Sequence, residues 1–356
     1  MTRMTRRHLL ATTGIAALAG CVGDDGSNNA QISEPLDLPT ADERLPLPTE
    51  PAALRDEARS GGPNKDGIPS IDEPQFINAG DADFLDSGDP VFGVTRDGVT
   101  KAYPQKILVS HEIVNDDLDG TPVSVTYCPL TGTVQGFERG NTEFGVSGRL
   151  INANLVMYDR TTEAWWPQIL ATSVPGPWNE TPEIRSLQEF RLIWTTWERW
   201  RSQHPDTQVL STDTGHASNY GRDPYGSYNP RGGYYETANM LFSGRVDDDR
   251  FHPKRVVMGA RAPNGAVAFL KDALRKTGVM TGELGATPVV AVYDDRYDTG
   301  YVYRNPAEQA VSDADGGVAL GGNQFAPDSL PLDRIHTFDA MWVAWIGYYP
   351  KTNVYA

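Results

Sequence analysis

One cysteine stands in the body of this chain, Cys128 in TYCPLTG at 126–132, and the other cysteine is Cys21. A thiolate is both a nucleophile and a soft metal ligand, so its chemistry depends on what the fold brings beside it. His111, seventeen residues upstream, and His216, in DTGH at 213–216, are the imidazoles that could share a metal ion with Cys128 or take its proton. Sulfur with imidazole nitrogen favours copper or zinc over calcium or magnesium. Spacing, however, supplies one clear ligand where a structural zinc site wants four. Nucleophilic catalysis would also need an orienting carboxylate, for which Glu112 and Asp159 are the candidates. Pro129 follows Cys128 directly and has no N–H to offer an oxyanion, which argues against acyl transfer. Glu112 and Asp159 would suit glycoside hydrolysis if the fold set them across a substrate. Beside all of these stands the plainer reading, because cysteine is among the most buried residue types and often serves as a small apolar group.

A second group of side chains has binding character. SGRLINANLVMYDR at 147–160 alternates small polar and apolar residues and ends in Tyr158, Asp159 and Arg160, so Arg160 either clamps an anion or neutralises its neighbour. Trp165 and Trp166 are adjacent and face opposite ways on a strand, leaving Trp166 as a candidate cleft residue. Tyr225 lies in the aromatic and glycine-rich stretch NYGRDPYGSYNPRGGYY at 219–235, suited to line a cleft for a small ligand. Trp194 with Trp197, and Trp342 with Trp345, share a spacing of three that on helices puts each pair on one face, and these four read as packing residues.

The elements that must position these residues are predominantly strands. Residues 91–95 and 99–103 flank Arg96-Asp97-Gly98 as a hairpin, and 123–127, 134–137, 256–259, 289–293 and 301–303 add short strands. Helical pattern is confined to 186–203, opened by a Ser cap, and 268–276. The chain also repeats itself: VFGVTRDGVTKAYP from Val91 matches VMGARAPNGAVAFL from Val257, and TPVSVTYCPLTGTVQGFER from Thr121 matches TPVVAVYDDRYDTGYVYRN from Thr287, both 166 positions on. A looser match aligns Phe190 with Phe338 at a displacement of 148. The expectation is a mainly β fold with a few helices, in two pseudo-equivalent halves produced by internal duplication. The first half, 81–205, carries the candidate site; 206–256 is a Tyr/Gly-rich connection; and 257–356 is a degenerate second half in which Cys128 has become Asp294.

The chain begins MTRMTRRHLLATTGIAALAGCVGDDGS, in which Arg6 and Arg7 ahead of a short apolar run resemble a twin-arginine export signal. Leu18-Ala19-Gly20-Cys21 resembles a lipobox, so 1–21 reads as a lipoprotein signal with Cys21 as the lipidated residue. Residues 22–80, rich in Pro and charge, read as tether and lead-in. The expected location is the outward face of the cell membrane, anchored by lipid, with a small ligand or an envelope protein as partner. The formal charge of −16, with arginine far outnumbering lysine, resembles the acidic surfaces of halophilic archaea. No basic groove is present to bind nucleic acid. Neither a dinucleotide fingerprint nor a P-loop, a His-Glu-x-x-His zinc motif or a serine elbow occurs.

HEIVND at 111–116, TPVSVTYCPLTG at 121–132, FGVSGRL at 144–150, MYDRTTEAWW at 157–166, HPDTQVLSTDTG at 204–215 and DPYGSY at 223–228 together resemble the DUF3179 family. The resemblance implies an exported or membrane-anchored protein and brings no established reaction. That family commonly has Cys-Pro-Leu-Cys-Gly where this chain has Thr131 in the second cysteine position, so dithiol chemistry within this motif is closed to it. Three function classes follow: a lipid-anchored domain binding a small ligand or soft metal, an extracytoplasmic hydrolase-like enzyme, and a structural partner-binding module.

Overall fold

The computed structural model describes residues 37–356. The leader, Cys21 and the first part of the tether lie outside the described residues. The fold is mainly β, with α-helices of only six or seven residues among the described residues.

A first set of elements builds two sheets around one helix. Pro90–Arg96 and Val99–Pro104 form a hairpin whose turn residues, Asp97 and Gly98, both have positive φ, as a tight two-residue connection requires. Gln105–His111 is helical, and Ile113–Leu118, Thr121–Cys128 and Thr133–Glu138 follow as an antiparallel meander. Ile193–Thr196 returns antiparallel to Pro90–Arg96, and Gln208–Leu210 runs parallel to Val99–Pro104. Phe92, Tyr103, Ile107, Val114, Val125 and Tyr127 join both sheets and the helix in one buried cluster.

A second set follows the same order. Val256–Ala262, Gly265–Leu270, helix Lys271–Thr277, Val279–Leu284, Thr287–Asp294 and Thr299–Arg304 each begin and end 166 positions after a counterpart in the first set. Thr337–Met341 then pairs with Val256–Ala262, helix Trp342–Tyr348 follows, and Asn353–Tyr355 runs parallel to Gly265–Leu270. In both sets a tryptophan lies on a glycine: a Cβ on Gly93 would stand 2.2 Å from the Trp200 ring, and one on Gly259 would stand 2.1 Å from Trp345. Those two tryptophans are 145 positions apart, so the displacement of 148 read from the sequence is off by three. Trp342 corresponds to Trp197, and Trp194 lies on the preceding strand rather than on a helix.

The helix expected at 186–203 is correspondingly shorter. Ser186 does not cap it, because its hydroxyl accepts from the Leu45 amide and bonds Thr172. The chain runs through strands Glu189–Phe190 and Ile193–Thr196, and the helix is Trp197–Gln203, capped by the Thr196 side chain. Similarly, 268–270 complete a strand before the Lys271–Thr277 helix begins.

The hairpin of Phe144–Ile151 and Asn154–Asp159 leaves the first set and lies on the second. At its tip Asn152 and Ala153 both adopt positive φ, and the Asn152 amide donates to Ala344 O at 2.8 Å while Tyr348 donates to Ile151 O at 2.7 Å. Ile151, Val156 and Ile169 share a buried cluster with Phe338, Trp342 and Trp345. Arg261, from the second set, is buried and pairs with Glu189 at 2.7 Å. Within the lead-in, Leu38, Leu45, Leu54 and Ile71 are buried in the same clusters as the strands, an apolar contribution hidden among prolines and charges. No helix among the described residues is long and apolar enough to cross a membrane.

Candidate functional site

Cys128 closes the Thr121–Cys128 strand, opposite Thr133. Proline cannot extend the ladder, and Gly132, at φ +54, takes the left-handed conformation that turns the chain back. The second set holds this turn: Met341 donates its amide to Thr131 O at 2.9 Å. Cys128 is buried, with Sγ 3.9 Å from Ala153 O and Leu130, Phe144, Leu155 and Trp166 in the same cluster.

Glu112 approaches from the other side. The Gln105–His111 helix ends there, and Glu112 turns the chain at φ 58, a conformation unusual for a residue with a side chain. Its amide donates to Leu108 O and its carbonyl accepts from the Tyr127 amide, each at 2.7 Å. This ties the helix end to the residue before Cys128. The corresponding helix of the second set ends in Gly278 at φ 72, so the turn itself does not call for glutamate. Glu112 as a residue is only 8% exposed, and its carboxyl has neither a hydrogen bond nor an ion pair among the described residues.

Burial therefore pushes Glu112 up to about 8. Burial, aided by the nearby Glu112 charge, pushes the Cys128 thiol up to about 11, while the Thr131 hydroxyl pulls it back. At neutral pH both groups carry their protons. Thr131 thus stands beside the thiol.

Tyr225 and Tyr234 close the site, half-buried with rings 5.8 Å apart. Burial pushes both phenols upward; the Glu112 charge then acts on Tyr225, and the Cys128 charge on both. Tyr234 donates to Leu130 O at 2.8 Å. Two anchors hold this stretch. Asp223 accepts from Gln105 at 2.8 Å and from the Tyr235 hydroxyl at 2.9 Å. Lys254, buried and pushed down to about 8 by burial, donates to the carbonyls of Tyr234, Thr237 and Asn239.

The candidate residues therefore separate into three places. Glu112, Cys128 and Tyr225 converge. His111 and His216 face each other elsewhere, rings 5.3 Å apart, and His216 lines a cleft with Arg160. Arg160 bonds Asp72 at 2.8 Å, Glu143 at 2.5 Å and Ser70 at 2.8 Å, so it neutralises acids. Tyr158, Asp159 and Trp166 are in the core: Tyr158 donates to Asp66 at 2.5 Å, and Asp159 accepts from the Thr162 amide, the Thr162 hydroxyl and the Trp166 indole at 2.5, 2.7 and 2.9 Å. Asp159 thereby closes its own turn, with its oxygens already engaged.

Copper or zinc does not fit these donors. His111 Nδ1 donates to Pro69 O at 2.8 Å and Nε2 is held by the Tyr220 hydroxyl at 2.6 Å, so neither nitrogen is open to a metal. No group of three or more His, Cys, Asp or Glu side chains that could hold an ion occurs among the described residues. Glu112 with Cys128 offers two donors, fewer than either kind of zinc site uses.

The sequence did not single out Tyr234, Asp223, Gln105 or Lys254. Asp223 carried a signal, as the first residue of DPYGSY; Gln105 and Lys254 carried none.

The family described as Protein of unknown function (DUF3179) matches residues 65–352, which include every residue of this site, and the chain belongs to that family. Comparison with curated proteins and with solved structures finds no match.

Proposed function

We propose that this member of the DUF3179 family is a lipid-anchored, extracytoplasmic protein that binds a small ligand beside Glu112 and Cys128, beneath Tyr225 and Tyr234. The observation that carries the reading is Glu112, a residue left 8% exposed whose carboxyl has no partner among the described residues, on a left-handed backbone. An unsatisfied buried polar group costs about 1–3 kcal/mol and the left-handed conformation about 1–2 kcal/mol more. The second set makes the same turn with glycine, so folding gives no reason for this residue. A ligand that accepts a hydrogen bond from the neutral acid and lays an apolar part against the two tyrosines supplies one.

Export and anchoring rest on the leader, with its paired arginines and Cys21. The repeated order of elements, at the spacing of the two sequence matches, supports an internal duplication in which the first half kept the site and the second became its support. The hydrolase-like alternative draws on the same acid and thiol. It is the weaker reading, because burial holds the thiol protonated and His111 is engaged elsewhere.

Small molecules extracted from heat-denatured protein, purified in high salt, test the ligand. Wild type should release a compound in near-stoichiometric amount and Glu112→Leu, which has no donor, should not. A folded Glu112→Leu protein carrying the same compound would place binding elsewhere.

A further inference from the structure

A second cleft, of about 550 Å³, opens where the two sets of elements meet, and its charges do not balance. Arg191 lines it. One end of its guanidinium is fixed, Nη2 donating to Thr299 Oγ1 at 2.9 Å and Gly300 O at 2.7 Å, with the Tyr301 ring 4.3 Å away. Nε and Nη1 are buried and have no hydrogen-bond partner among the described residues. The exposed Arg334 approaches the same ring at 5.7 Å; its one hydrogen bond is a long one, 3.4 Å to Asp328 O, and it has no ion pair among the described residues. The carboxylates that line the cleft are already taken: Glu189 by Arg261 at 2.7 Å, and Asp328 by Arg296 at 3.1 Å.

Two like charges beside one ring are unfavourable, and Asp339, the acid whose charge reaches Arg191, is already held by Lys271 at 2.6 Å. An oxyanion between them would satisfy the free N–H groups through charge-assisted hydrogen bonds, the role for which guanidinium geometry is suited. We infer that this cleft binds a small oxyanion, a carboxylate or phosphate group, held between Arg191 and Arg334 at the junction of the two sets. Arg334, exposed and without an ion pair among the described residues, borders the cleft where the anion would enter. This site is separate from Glu112 and Cys128 and stands or falls independently of the function proposed there.

Calorimetric titration of the full chain tests it, with inorganic phosphate in one arm and citrate in the other, at constant potassium chloride. Saturable binding of one anion per chain is expected in at least one arm, and the arm that binds identifies the chemistry. Arg334→Ala should weaken it about tenfold, and Arg191→Gln should abolish it. Absence of saturable heat in both arms overturns the inference, as does equal affinity in wild type and Arg334→Ala. Because Arg334 is exposed, that variant keeps the test decisive if Arg191→Gln fails to fold.

Discussion

Glu112 and His111 are neighbours in sequence and part company in space, which explains what the sequence could and could not tell. The helix ends at His111, and the positive φ of the next residue turns the chain. One side chain then joins Pro69 and Tyr220, while the other is buried near Cys128. Residue types marked Cys128, Glu112 and Tyr225 as chemically capable; that Glu112 rather than His111 meets the thiol depends on one dihedral angle that composition does not encode. The pairing has a measurable consequence. With a folded value of about 8 against an ordinary 4.5, Glu112 binds its proton more tightly in the native state than in the unfolded one. Its contribution to stability is full below pH 4.5 and is lost as pH rises through 8. Glu112→Gln should remove that slope and leave the protein more stable above pH 8, by a few kcal/mol. Urea midpoints across pH 4 to 9 check this, and parallel profiles for the two proteins would show that the carboxyl is not desolvated.

Among the elements, hairpins and the meander were legible because alternating apolar residues and Gly-containing turns carry local information. Helices were not, being only about two turns long, too short for a 3.6-residue period to stand out. The tryptophans spaced by three misled for a related reason: Trp194 lies within the Ile193–Thr196 strand and packs on Phe92 and Tyr228, while Trp197 starts a helix. Trp200 and Trp345, each packed on a glycine, occupy matching places in the order of the two sets. Gly93→Ala should destabilise by about 3 kcal/mol through overpacking against the Trp200 ring, and Gly259→Ala by a comparable amount against Trp345. Chemical denaturation measures both, and near-neutral effects would mean that the rings are not seated as described.

At the scale of the whole molecule, buried polar contacts fasten the two sets together. Arg261 is fully buried, donates twice to Ile169 O at 3.1 and 2.7 Å, and pairs with Glu189. Removing one member strands a charge, so Arg261→Ala should cost about 3–5 kcal/mol, whereas replacing both members with apolar residues should cost far less. Calorimetric unfolding of the single and double variants distinguishes a charge pair from mere bulk. The sequence offered no sign of this fastening, because its residues lie far apart and no local period links them. Nor did it show that Lys254, donating to three carbonyls and lying 3.5 Å from the Tyr234 ring centre, holds the tyrosine stretch in place.

The site proposed beneath Tyr225 and Tyr234 must open locally to admit a ligand, and the reactivity of Cys128 reports that opening. In Cys21→Ser, Cys128 is the sole thiol, and its rate of alkylation by iodoacetamide can be followed from zero urea to the unfolding transition. A lid predicts a rate nearly independent of low urea, reflecting local opening, and faster in Lys254→Met, which frees the loop. A rate that follows global unfolding at every urea concentration, in both proteins, would make Cys128 a packing residue and contradict the account.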